Sequence, residues 1–315
     1  MTSRIGTWNL ENLFRPGQDG PSSRDEYDQK LTTLAATIND LSPDVLCVQE
    51  VGDPDALDDL VKQLDGTWHT ALADPDGRGI RAGVIAQSEL SDVDQIAAFP
   101  DTLQPVQVQD DGTTIDEMGR PALRAQVELG GTTVTVISTH LKSKLLSFPG
   151  GRFNPKDEGE RARYGFYALT RRAGEAAALR AGADISLAGD GAGHAVVVAG
   201  DLNDGPLAAT TQILLGPGGS EIGTRGYEKP DKGDATRLWN IAPLIPEKER
   251  YSRIYQGRPE LIDHILVSKA LVDKVTSASA GSKALGKTPS ITDDPKPRKD
   301  KPGSDHRPVI ADFDL

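Results

Sequence analysis

The feature that most constrains this chain is a series of short β-branched runs whose ends carry carboxylates, carboxamides and imidazoles. Ser3–Trp8, Asp44–Gln49, Thr132–Ser138, Ala195–Ala199, Glu260–Val267 and Pro308–Phe313 read as strands. At or beside their ends stand Asn9, Glu50, His140, Asp201 with Asn203, Asp263 with His264, and Asp305 with His306. Strands cross a core and release their ends at its rim, so several such ends can converge on one concave site. Singly, each has a plainer reading. Asn9 can cap a turn, Glu50 can be a solvated strand end, and His140 can be a hydrogen-bonded core histidine. Asp201 and Asn203 can form an Asx turn among Gly200, Asp204 and Gly205, and Asp305-His306 can be a loop ahead of Pro308. One shared cause accounts for all of them more simply.

Helical patterns separate the strands. Arg24–Leu41 sets Leu31, Leu34, Ala35 and Ile38 on one side, and Pro54–Leu64 carries proline in its first turn. Arg161–Ala181, rich in Ala, Arg and Leu, and Ala208–Leu214 also read as helices. Trp68–Leu72, Ala82–Ala86, Val93–Phe99, Leu123–Leu129 and Lys274–Ala280 add strands, and Gly130-Gly131 signals a hairpin. Leu145–Glu160 and Gly281–Gly303 read as loops, the second as a mobile connection. There is no repeat, so a solenoid or propeller is not expected. The mixture points to an α/β or α+β layered sandwich, sheets packed together and covered by helices. A length of 315 residues allows roughly two domains or one large layered one.

Composition narrows the function classes. Acidic residues outnumber basic ones by 47 to 35, a net charge of −12, which argues against a general nucleic-acid coat but not against a cation site. No apolar run approaches the ~20 residues of a membrane helix. MTSRIGTWNLENLF shows no signal-peptide pattern. The one cysteine, Cys47, lies in an apolar run and reads as buried, so a reducing cytoplasm is the expected location.

In order, the segments TWNLEN, VQEV, STHLKS, AGDLND, LIDHILVS and GSDHRPV resemble the endonuclease/exonuclease/phosphatase superfamily. The resemblance runs from about Ile5 to the C-terminus. It implies one domain over residues 1–315, a four-layer α-β-β-α sandwich of two packed mixed sheets flanked by helices. It further implies a metal-dependent phosphoric ester hydrolase using Mg²⁺ or Mn²⁺, with Glu50, Asn9 and Asp305 on the metal side. By the same resemblance Asp201 orients the attacking water and Asn203 holds a non-bridging phosphate oxygen. His306 lies beside the scissile phosphate and is paired with Asp263. His140 protonates the leaving oxygen or donates to the phosphate, and Arg120 supports the phosphate site. His264, next to Asp263 on a strand, faces the other way and reads as structural. His69 and His194 fall outside the motifs.

Substrate choice falls to the loops. Lys142, Lys144, Arg152, Lys156, Arg161 and Arg163 form a basic stretch after His140, expected to funnel an anionic substrate, with Lys142 and Arg161 as contacts. Arg161 and Arg163 can equally solvate a helix. Arg225, Tyr251, Arg253 and Tyr255 offer a second rim, or ordinary cross-strand packing. The expected partner is nucleic acid cleaved by a nuclease. A small or lipid-linked phosphate ester is the alternative, and a non-catalytic binding domain of the same fold is a third reading. No protein partner is readable.

Overall fold

Period-2 burial on both faces of the strands dictates the architecture. In the computed structural model the described residues are 2–17, 19–103, 105–294 and 296–315. Met1, Gln18, Gln104 and Pro295, the last within the expected Gly281–Gly303 loop, lie outside them. The chain first lays down β1 (Thr2–Leu13), β2 (Val45–Val51), β3 (His69–Leu72) and β4 (Arg81–Ala86). It continues with β5 (Leu90–Ala98), β6 (Glu117–Leu129), β7 (Thr132–His140), β8 (Ala195–Asp201), β9 (Leu238–Asn240) and β10 (Asp263–Ser268), then β11 (Val275–Ala280) and β12 (Val309–Asp314). Two six-stranded mixed sheets result, ordered β11-β12-β1-β2-β4-β3 and β9-β10-β8-β7-β6-β5. The first is built from both ends of the chain and the second from its middle.

On β2, Val45 and Cys47 join the apolar cluster between the sheets, while Leu46 and Val48 face helices α1 (Arg24–Leu41) and α2 (Pro54–Val61). On β8, Val197 and Ala199 point between the sheets, and Val196 and Val198 pack on α3 (Glu158–Leu187). Strands buried on both faces become continuous apolar runs, and the layers stack helix, sheet, sheet, helix. The expected sandwich is the observed one.

Element boundaries moved for local reasons. The α3 helix starts three residues before the expected Arg161, because the Asp157 side chain accepts the Glu160 N–H at 2.8 Å. It runs past Ala181 because Ala183 and Leu187 are still buried against the sheet. The β6 strand begins upstream of Leu123 and contains Pro121, tolerated where the pairing to β5 shifts register between Ile96 and Ala98.

Two expectations are corrected. Glu260–Val267 is not one strand. Glu260 pairs with Arg253 in a small hairpin turned by Gln256-Gly257 at φ 48° and 78°, and β10 starts at Asp263. Gly281–Gly303 is not a free connection. Ser290–Ile291 adds to that hairpin, Arg298 Nη2 donates to Glu11 Oε2 at 2.6 Å, and Asp300 Oδ1 accepts the Ser22 N–H at 2.7 Å. Among the described residues, no helix is long and apolar enough to cross a membrane.

Gly200 shows how closely the strands approach beside the polar ends. A Cβ there would lie 1.9 Å from the Thr139 carbonyl oxygen, on the strand that delivers His140. Gly200→Ala is expected to force β7 and β8 apart and lower stability by roughly 1–3 kcal/mol. Thermal unfolding of the variant against wild type measures this, and an unchanged Tm would contradict it.

Candidate active site at the open end of the sandwich

The inter-sheet face is apolar through most of its length and turns polar at one end. Thr7 donates to Gln49 Oε1 at 3.2 Å, and Gln49 Nε2 donates to Ser138 Oγ at 3.3 Å, joining the two sheets. One step further, register alone builds a row. Asp201 is the cross-strand partner of His140 on β7 and of Asp263 on β10. Neighbouring strands lie about 4.8 Å apart, so the three side chains stand side by side. All three share the face of Val136, Ala199 and Ile265, whereas His264 takes the other. His264 is saturated there, Nδ1 against Asn240 Nδ2 at 3.1 Å and Nε2 against the Asp204 carbonyl at 2.8 Å.

The other sheet supplies Asn9, Glu50 and the turn before β12. Asn9 Nδ2 donates to Glu50 Oε1 and to Asp201 Oδ2, both at 3.1 Å. Glu50 lies where β2 breaks register between Val48 and Val51, with φ 60°, and its Oε2 accepts the Asn12 N–H at 2.9 Å. His306 Nδ1 is 2.7 Å from Asp263 Oδ2, and its Nε2 is 3.9 Å from Asp201 Oδ2. His140 Nε2 is 3.4 Å from the same oxygen. Asn203, at φ 53°, donates its backbone N–H to Asp201 Oδ1 at 2.8 Å and its amide to the Leu141 carbonyl at 2.9 Å. Thus Asn9, Glu50, His140, Asp201, Asn203, Asp263 and His306 come together.

Asp305 occupies the same turn, half-buried, its N–H on Glu11 Oε2 at 2.9 Å. Arg120 lies behind His140. Its Nε and Nη2 donate to the His140 and Leu141 carbonyls at 3.2 and 3.1 Å, so it positions the strand exit. Four of the six bases in the basic stretch are paired with acids, so it forms no open funnel of free cations. Lys142 Nζ turns back onto the Ser143 and Leu145 carbonyls, and Lys144 pairs with Asp204, Arg152 with Glu160, Arg161 with Glu158 and Arg163 with Asp110. Arg161 is exposed and bonded within its own helical turn, as the solvated-helix reading has it. Tyr251 lies under Arg307 and Tyr255 under Arg253, and Arg225 stays exposed.

Two supports escaped the motif reading. Ser252 is fully buried, and its Oγ accepts the N–H groups of Ile262 and Asp263, both at 3.1 Å, while its carbonyl accepts the Arg307 N–H at 2.7 Å. It thus fixes the backbone on both sides of the Asp263–His306 pair. Glu11, within TWNLEN, is buried and held by Arg298. A carboxylate in the leading motif was the available signal for Glu11, whereas nothing marks one serine among many.

Burial sorts the protonation states. It would lower His306, but Asp263 outweighs it and raises the imidazole to about 10, so His306 is a cation at neutral pH. Burial likewise tends to raise Asp263, and His306 holds it below its ordinary value. Burial, reinforced by Arg120, keeps His140 well below the usual histidine range. It is neutral, able to donate a hydrogen bond but without a spare proton. Burial and then the Asp263 charge raise Asp201 to about 6.

Buried polar atoms without a hydrogen-bond partner gather here. Of the five such atoms among the described residues, His140 Nδ1 and Asp263 Oδ1 belong to the row itself, and Arg253, whose charge bears on Asp201 and Asp263, leaves its Nε as a third. Such atoms mark ligand sites. Asp201, Asp263 and His306 place one ligand-type atom each within 4.8 Å of the others. A doubly protonated imidazole has no lone pair to offer, so the oxygen donors remain. Carboxylates grouped this closely suit a divalent cation, and a cation would relieve the Asp263 repulsion that, after burial, lifts Asp201.

The family model described as the Endonuclease/Exonuclease/phosphatase family matches residues 6–306. The chain belongs to this family. The family's description names enzymes that hydrolyse phosphoric esters. Truncated TDP2 from Caenorhabditis elegans is a similar solved structure, with 17% identity and TM-score 0.57, covering 100% of this chain and 98% of that one. The human Nocturnin catalytic domain with bound sulfate anion has 15% identity and TM-score 0.58, covering 99% and 94%. An AP endonuclease from Archaeoglobus fulgidus has 16% identity and TM-score 0.54, covering 99% and 100%. At these identities the likeness concerns the family fold. The sequence matches none of the curated proteins.

The raised Asp201 gives a signed prediction. Its ionised form is penalised in the folded state above pH about 6, and the penalty vanishes once pH falls below the ordinary carboxylate value of 3.8. Asp201→Asn removes that penalty but also one of the two acceptor oxygens, so its Tm relative to wild type in EDTA is expected to rise by a few degrees between pH 4 and pH 8. Calorimetry across that range tests it. A difference between variant and wild type that stays flat or falls from pH 4 to pH 8 would contradict the electrostatic account.

Proposed function

We propose that the protein is a divalent-metal-dependent phosphodiester hydrolase, a nuclease acting on DNA or RNA by in-line attack of water. The observation that carries this reading is the convergence on Asp201 of Asn9, His140 and His306 from three other segments, with Asn203 beside it in its own. Phosphodiesters are anionic with poor leaving groups, so a catalyst must neutralise charge, orient water and stabilise the departing oxygen.

Glu50 and Asp305 would hold Mg²⁺ or Mn²⁺, with Asn9 supporting that shell by fixing the Glu50 carboxylate, and the ion would supply positive charge against the phosphate oxygens. Asp201 accepts a proton from the attacking water. A carboxylate raised to about 6 is ionised at neutral pH yet more basic than an exposed one. Asn203 keeps one amide hydrogen beyond that given to Leu141 and offers it to a non-bridging oxygen. Neutral His140 donates a hydrogen bond to the phosphate. His306, oriented by Asp263, presents a fixed positive charge where negative charge develops.

The sulfate in the Nocturnin structure and the activity in the name of the Archaeoglobus protein support an anionic, nucleic-acid substrate. The compensated basic stretch favours a second reading, a small phosphate ester that needs no extended cationic track.

Purified protein incubated with single- and double-stranded DNA and RNA, and with small phosphate esters, under Mg²⁺, Mn²⁺ or EDTA decides between them. Metal-dependent cleavage of polynucleotide is expected. His306→Ala should lower kcat roughly 10²–10⁴-fold with the fold intact. Glu50→Gln should raise the metal concentration for half-maximal rate. Absence of metal-dependent hydrolysis of every substrate would remove the proposal.

A further inference from the structure

Between β3 and β4 the chain forms a tight loop, residues 73–80, that is pinned to the site from two directions. Asp76 Oδ1 accepts the N–H groups of Arg78 and Ile80 at 2.8 and 3.0 Å, and its Oδ2 lies 3.5 Å from Arg120 Nη1, the arginine that holds the His140 carbonyl. Arg81 Nη1 donates to the Gly79 and Gly52 carbonyls, both at 2.8 Å, and fixes the loop's base next to the Glu50 turn. The loop presents Arg78, exposed, whose Nη2 donates to Asn12 Oδ1 at 3.1 Å. Asn12 is the residue whose N–H holds Glu50 Oε2.

The charges of Arg120, His306, Lys142 and Arg78 all bear on His140, and the first three are already engaged. Arg120 faces Asp76, His306 is paired with Asp263, and the Lys142 ammonium is taken up by loop carbonyls. The fourth is Arg78, which rests on a neutral amide oxygen and is open to solvent. Asn12, Glu50 and Asn9 stand between it and Asp201, each joined to the next by a hydrogen bond. Its guanidinium therefore lies outside the row that would embrace the scissile phosphate, at the mouth of the site.

We propose that Arg78 is a specificity-determining residue that binds the phosphate adjoining the scissile one, so that the preferred substrate carries at least two phosphates on one backbone. This rests on the hydrolase reading. A planar guanidinium on a fixed loop suits two oxygens of one phosphate, and leaving Asn12 for a phosphate exchanges a neutral acceptor for a charged one.

The test compares wild type, Arg78→Gln and Arg78→Lys on a short oligonucleotide and on bis(p-nitrophenyl) phosphate, which has a single phosphate. For Arg78→Gln the oligonucleotide KM should rise about tenfold, the scale of one charge-assisted hydrogen bond, with kcat within about twofold. Arg78→Lys should recover part of the loss, and kinetics on the small diester should not change. Oligonucleotide binding in EDTA, followed by fluorescence anisotropy, should lose about one unit of slope in log K against log salt. Equal losses on both substrates, an unchanged oligonucleotide KM, or a wild type that cleaves only the small diester would each overturn the role of Arg78 while leaving the hydrolase reading standing. A wild type inert towards both substrates removes both.

Discussion

The side-chain amide of Asn9 is the interaction on which the rest depends. Two apolar sheet faces can slide or splay at their ends, where the hydrophobic grip stops. Here one nitrogen donates to Glu50 on its own sheet and to Asp201 on the other. The opposite side of the same residue is also fixed, Oδ1 by the Glu11 N–H at 2.9 Å and the backbone carbonyl by Ser304 Oγ at 2.6 Å. Ser304 Oγ in turn accepts the His306 N–H at 3.0 Å. One asparagine thus sets the separation of two carboxylates and ties in the turn that supplies the imidazolium. A buried network of this kind is worth having only when complete, since an unpaired member costs its full desolvation.

Charge is arranged by the same logic. Asp263 and His306 compensate each other in the interior, and Ser252 holds the backbone of one and abuts that of the other. Such an ion pair adds little net stability once desolvation is counted. Its consequence is chemical, because it keeps His306 positive over the neutral pH range while neutral His140 stands across Asp201. Two histidines about one carboxylate, in opposite protonation states, give the site a charged end and a hydrogen-bonding end.

Much of this was legible in the sequence because it follows from period and order. Val45–Cys47 against Leu46–Val48 announces a strand buried on both faces, and Asp201 two residues beyond Ala199 must share its face. What was not legible depends on partners distant along the chain. Arg163 meets Asp110 across 53 residues and Lys144 meets Asp204 across 60, so a stretch that reads as basic is largely compensated in space. Arg298 reaches Glu11 across 287 residues, turning a polar loop into an anchored one. The small hairpin that separates Glu260 from Asp263 is set by Gln256-Gly257, a turn that a continuous apolar pattern downstream conceals.

Glu50 shows why regular patterning stops at the site. Continued as a strand, β2 would place Glu50 with Leu46 and Val48, against the helices. Instead φ 60° and the register break turn the chain, and Val51 takes the helix-facing position while Glu50 swings to Asn9. The β1 strand does the same, Glu11 and Asn12 at φ 51° and 49° returning Leu13 to the helix face. Left-handed backbone at a residue other than glycine costs of order 1–3 kcal/mol and persists only where the surroundings enforce it. Here the enforcement comes from adjacent strands broken at the same level, each delivering a polar residue inward and an apolar one outward. The sandwich keeps its core sealed up to the last rung and opens only where the carboxylates are needed.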